Sequence, residues 1–203
     1  MAVVSNGTTI IDAGALGSGV ATGKMTLIKT LTASGSANLS FVDGAASVVL
    51  DNTYDSYVFK FINIHPASSS SFTFQSDTGT NTSYNQTITS TYFYAGHQES
   101  GGVASLSYNN DQDQAQGTAF QRIGVVGNDN DSNISGQLKI FSPSSSVFVK
   151  HFIANTNQNN GTTAQEEFIA GYFNTTTPLT RFQFKMSSGN IDSGIIKLYG
   201  IGG

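Results

Sequence analysis

After Asn38 the apolar side chains recur at every second position in short runs, each bounded by Gly, Asn, Ser, Asp or Pro. In YDSYVFKFINIHP this rhythm sets Tyr57, Phe59 and Phe61 on one face and Val58, Ile62 and Ile64 on the other, and Pro66 ends the ladder. A strand that is apolar on both sides belongs at the centre of a sheet. SFTFQ, with Phe72 and Phe74, and QTITSTYFY, with Ile88, Tyr92 and Tyr94 on one side, follow it. FQRIGVV, ISGQLKIF, VFVKHFIA, EFIAGYFN, RFQFKM and GIIKLYGI complete the series, separated by turn chemistry such as GNDNDSN, SPSSS, NQNNG and SSGN. Closely spaced strands with short connections predict an all-β fold, an antiparallel β-sandwich of jelly-roll-like form, over residues 36–203.

The first 35 residues differ from the rest. They are rich in Gly, Ser, Thr and Ala, with a short apolar pair at Ile10 and Ile11 and another patch around Met25, Leu27 and Ile28. We read residues 1–35 as an extended arm, able to span on the order of 100 Å across a neighbouring subunit. In that reading Met25, Leu27 and Ile28 are the arm contacts, and Lys24 to Leu31 adds a strand to a neighbour's sheet edge. A partly disordered N-terminus is the alternative. No segment carries the period of a long amphipathic helix, because DQDQAQGTAF has few apolar residues and an interior Gly117. Solenoid repeats and coiled-coil heptads are absent as well.

Composition narrows the picture. Charged residues make up 11% of the 203, and Ser, Thr, Asn, Gln and Gly fill the polar positions instead. The net charge is −4 and the nine Lys and Arg are scattered singly, so a nucleic-acid partner is not expected. There is no cysteine, which excludes disulfide stapling and thiolate chemistry. The leading MAVVSNGTTIIDAGALGSG has no basic segment and no long apolar core, so neither a secretion signal nor a membrane anchor is expected there.

Candidate chemistry is sparse, and neither a cofactor nor a catalytic residue is expected. His65, His97 and His151 share no metal-ligand spacing with one another or with an acid, and structural hydrogen bonding is their simplest role. Glycoside cleavage needs two carboxylates facing one bond, but Glu166 and Glu167 are strand neighbours that point to opposite faces. The run Asp129, Asn130, Asp131, Ser132, Asn133 begins like an oxygen-ligand calcium loop, yet Ile134 and Ile140 stand where that loop needs its Gly and its distal Glu. A turn is the simpler reading. GALGSG and SGGV carry no phosphate-loop lysine. Tyr92, Phe93, Tyr94 and His97 form the densest aromatic cluster and are the candidate ligand or subunit contact. Either a sugar platform or ordinary packing accounts for them, and packing is the more economical.

At YDSYVFKFINIHPASSSSFTFQ, DQDQAQGTAFQRIG, SGQLKIFSPSSSVFVKHF and AGYFNTTTPLTRFQFKMSSGNIDSGIIKLYGI, the chain resembles virion structural proteins of tailed phages that infect marine bacteria and cyanobacteria. The likeness runs over about residues 24–203 and is most specific in the closing FKMSSGNIDSGIIKLYGI. It implies a non-enzymatic bacteriophage virion protein, assembled in the host cytoplasm and released by lysis. A capsid decoration or cement protein is the first expectation, a homotrimer bound to itself and to the major capsid protein through repeated moderate contacts. A tail-fibre or tail-tip module that binds host surface glycans is the second. A virion-associated glycan hydrolase, with two carboxylates across a cleft, ranks third.

Overall fold

The computed structural model describes residues 2–12, 15–16 and 25–202. Within them, strands follow one another without a helix, as the two-residue rhythm demands. The first three, β1 (Val3–Ser5), β2 (Thr8–Asp12) and β3 (Ala15–Leu16), pair with one another in a small separate sheet. The main body begins with β4 (Thr26–Ser36), β5 (Leu39–Val42), β6 (Ser56–Pro66) and β7 (Ser70–Thr78). Next come β8 (Ile88–Gln98), β9 (Ala104–Tyr108), β10 (Gln121–Val126) and β11 (Ile134–Phe141). It closes with β12 (Lys150–Asn160), β13 (Thr163–Phe173), β14 (Leu179–Met186) and β15 (Ile191–Ile201).

These strands form an eight-stranded antiparallel sheet, β4-β15-β6-β11-β12-β13-β8-β9, packed against a four-stranded one, β10-β7-β14-β5. The order is informative. Taking β4, β5, β6, β7, β10, β11, β14 and β15 as strands one to eight, the sheets read 1-8-3-6 and 2-7-4-5, which is the jelly-roll arrangement. The remaining strands enter as two insertions, β8–β9 before the fifth strand and β12–β13 before the seventh. Both extend the same sheet beyond β11, giving the order β12-β13-β8-β9. In the β12–β13 hairpin the two-residue turn has a positive φ at Gly161 (66°), the local geometry that suits the right-handed twist of paired strands.

The core lies between the sheets and is dominated by phenylalanine. Phe184 on β14 sits at its centre, with ring centroids 5.0 Å from Phe59, 5.3 Å from Phe61, 6.0 Å from Phe72 and 6.2 Å from Phe41. Tyr57, Phe59 and Phe61 face this core from β6, which lies between β15 and β11. The simple alternation fails at Ile64. Asn63 has a φ of 51° and the pairing register slips beside it, so Ile64 turns inward and is fully buried, while Ile62 stays on the outer face.

The extended arm also takes a different form. Thr26–Ser36 is an integral edge strand, paired along its length with β15 of the same chain, and not a free arm. The cause is visible in its pattern: Ile28 and Leu31 pack on the core and Ala33 is buried in it. Met25 and Leu27 remain exposed. Residues 13–14 and 17–24, including Lys24 and four of the six residues of the GALGSG motif, lie outside the described residues.

Candidate functional site

The four added strands create a surface that a minimal jelly roll lacks. Their register assigns Phe152, Ala154, Thr156 and Gln158 of β12 to the inner face, with Phe173, Ile169, Glu167 and Gln165 of β13 and Ile88, Ser90, Tyr92 and Tyr94 of β8. The outer face then carries His151, Ile153 and Asn155, followed by Tyr172, Ala170, Phe168 and Glu166, and by Thr91, Phe93 and His97. An outer sheet face normally alternates to polar residues. Here it does not: Ile153 is 52% exposed, Phe93 40%, and Leu106 on the edge strand β9 is 72% exposed.

These side chains form a trough made of two adjoining hollows of about 480 and 450 Å³ that share Thr91, Ile153 and Ala170. Small residues make its floor and rings make its walls. Phe93 and Phe168 stack face to face across β8 and β13, with centroids 4.9 Å apart and planes 8° apart. On the other side His151 and Tyr172 lie 5.9 Å apart, and Lys139 Nζ sits 4.6 Å from the centre of the Phe141 ring. Asn155 Nδ2 donates to Glu166 Oε1 at 2.9 Å and so holds one oxygen of the one acid on the rim. Rings that stack on each other present their edges outward, which suits apolar packing more than the flat platform a sugar ring needs.

Of the four candidate residues, the fold separates two from two. Tyr92 and Tyr94 point inward, Tyr92 completely buried, whereas Phe93 and His97 point outward, about 13 Å apart along the strand. Only Phe93 reaches the trough. The partners that the sequence reading overlooked, Phe168, Ile153 and Tyr172, come from strands distant in the chain. The alternating Phe168, Ala170, Tyr172 of EFIAGYFN was the available signal.

Beneath the trough the inner face holds a polar knot. Glu167 Oε1 accepts from Gln158 Nε2 and Gln165 Nε2, both at 2.9 Å, and lies 3.7 Å from Arg122 Nη2 of β10. Arg122 also covers the Tyr92 ring, at 5.6 Å. Burial pushes the Glu167 carboxyl above its ordinary range, against the pull of the Tyr92 hydroxyl, the Arg122 charge and the two glutamine amides. Burial likewise raises the Tyr92 hydroxyl, with the Glu167 charge adding to it. Glu166 and Glu167 therefore sit on opposite sides of the sheet, one outside with Asn155 and one sealed inside. Two carboxylates facing one bond are not formed by this pair.

The Asp129–Asn133 run turns between β10 and β11, closed by Ser132 N donating to the Asp129 carbonyl at 2.8 Å. His65 Nδ1 donates to the Ser132 carbonyl at 2.7 Å. Asn63, His65, Asn130, Asp131, Asn133 and Asp192 line a polar hollow of about 420 Å³ there, and among the described residues no three His, Cys, Asp or Glu converge to hold a metal. Among them, too, no helix is long and apolar enough to cross a membrane. Comparison with family models, with curated proteins and with solved structures finds no match to this chain.

Proposed function

We propose that this chain is a non-enzymatic structural subunit of a tailed-phage virion, a capsid decoration protein that holds its neighbours through the outer face of the eight-stranded sheet. One observation carries the reading: outward side chains of β11, β12, β13 and β8 form an apolar trough, and no layer of the described residues lies over it. Contiguous apolar surface of this kind marks association sites in soluble proteins. The sequence resemblance to phage virion proteins supplies the particle. The low charge fits a subunit whose partners meet it by packing and hydrogen bonding rather than by ion pairs. Homotrimeric assembly, with affinity multiplied over repeated contacts, is part of the proposal.

A second reading, a tail-tip module for host glycans, draws on the polar hollow where amides and carboxylates from β6, β15 and the β10–β11 turn face one space. The two readings place the protein differently. Negative-stain imaging of phage particles labelled with an antibody to this chain should show label over the capsid surface. Label confined to the tail would replace the first reading with the second, and particles without label would remove both.

A further inference from the structure

The trough is not the only uncovered apolar surface. In the small N-terminal sheet Val3 and Val4 are consecutive, so they point to opposite faces, and they are 55% and 56% exposed. Each face of this ribbon thus carries an exposed valine, and among the described residues its strands pair with none of the sandwich. A ribbon of three short strands with no core of its own is marginal in water and gains order only against another surface. Val3 pairs with Ile11 across the ribbon, and these two present one apolar side.

Size and charge match the ribbon to the trough. The five residues of β2 extend about 17 Å, and the trough crosses from β11 to β8, three strand spacings or about 14 Å. Asp12 is the one charged side chain in residues 1–16. On the outer face Lys139 stands opposite Ile153 in the register, and Lys60 and Lys197 stand opposite each other. None of these lysines has a carboxylate partner, the one ion pair among the described residues being Arg122–Glu167. These three lysines outnumber Glu166, the one acid lining the trough, so a weakly acidic apolar ribbon suits that face better than a basic one.

The tether's length admits either the chain's own trough or a second copy's. From Leu16 to Met25 the chain can span about 30 Å, and β4 lies four strand positions, about 19 Å, from β12. The ribbon is thus long enough in reach to lie on its own trough, yet in the single chain Val3, Val4 and Ile11 stay exposed. We propose that the ribbon β1–β3 of one copy lies across the trough of a second copy, with Val3 and Ile11 seated beside Ile153. This rests on the reading of the outer face as the contact surface, and names its occupant.

The chain has no cysteine, so the contact can be trapped cleanly in full-length protein. Single variants Ile11→Cys and Ile153→Cys, mixed and oxidised, should give a disulfide-linked dimer in about tenfold higher yield than Ile11→Cys mixed with Ser68→Cys, because docking raises the local concentration of the pair. A yield no higher than that control overturns the proposal. So does an Ile11→Cys/Ile153→Cys double variant that closes only within one chain, which would make the occupant the chain's own ribbon. Sedimentation of Ile153→Asp separates the two levels: if it dissociates the assembly while no cross-link forms, the contact face stands and the ribbon does not. If the assembly mass is unchanged by Ile153→Asp, the reading of the face itself fails.

Discussion

Replacing Arg122 with Met should destabilise the protein by about 3 kcal/mol at pH 8 and by much less at pH 4. The magnitude follows from the geometry around Glu167. Its carboxylate is completely buried, Arg122 is its one cationic neighbour at 3.7 Å, and its second oxygen has no hydrogen-bond partner. Removing one member of a buried ion pair costs about 3–5 kcal/mol, and the lower end applies here because Arg122 is 17% exposed and the contact is loose. The sign of the pH dependence comes from burial, which holds the carboxyl of the folded state above its unfolded value. Folding therefore favours the protonated form, and this group's contribution to stability is greatest below the unfolded pKa. It is lost as pH rises from there through the raised folded pKa. Without Arg122 the folded pKa climbs further, so the difference between variant and wild type opens as pH rises. Glu167→Gln keeps an oxygen to accept from Gln158 and Gln165 but carries no charge, so it should abolish the pH-dependent part. Urea midpoints at pH 4, 6 and 8 for wild type, Arg122→Met, Glu167→Gln and the double variant read this directly. An equal loss for Arg122→Met at pH 4 and pH 8 would refute the reasoning, as would a double variant no more stable at pH 8 than Arg122→Met alone.

Three other outcomes follow from the packing. Phe184→Ala, at the centre of the phenylalanine core, should cost about 4 kcal/mol in the same titration, and a loss under about 1 kcal/mol would show that the core is not built around it. Gly171→Ala should cost about 3 kcal/mol, since a Cβ there would lie 2.5 Å from the Thr89 carbonyl oxygen and 2.8 Å from the Phe152 ring; an unchanged melting temperature would contradict that packing of β8 on β13. Lys150 is buried with a single bond, Nζ donating to the Thr175 carbonyl at 3.1 Å, and burial lowers its pKa. Lys150→Met should accordingly hold or raise stability at pH 7, by about 1 kcal/mol, and a clear loss would show that the ammonium is better solvated than its surroundings allow.

The sandwich was legible because its rule is local. Tyr57, Phe59 and Phe61 alternate with outward residues, and period two decides which side each side chain takes without knowledge of the strand's neighbours. Ile64 was misplaced because one residue, Asn63, leaves the extended region and shifts everything after it. The trough was half legible. Phe93 stood out in an aromatic run, but its companions Phe168 and Ile153 lie 60 or more positions away, and only strand order brings them together. Tyr92 and Tyr94 were grouped with Phe93 by adjacency in the sequence, although adjacency in a strand means opposite faces. The edge strand β4 looked like free arm because its composition is small and polar. Its three inward side chains, Ile28, Leu31 and Ala33, are spaced irregularly around a register slip beside Leu27, which hides the alternation.

Whether the apolar outer face is covered in solution can be measured on wild-type protein by hydroxyl-radical footprinting. Ile153 and Val147 offer an internal comparison, since the single chain exposes them to 52% and 67% and both are aliphatic. The account predicts that Ile153 is modified several-fold less than Val147, together with protection of Phe93 and Phe168. Modification of Ile153 in proportion to its exposure in the isolated chain would contradict it.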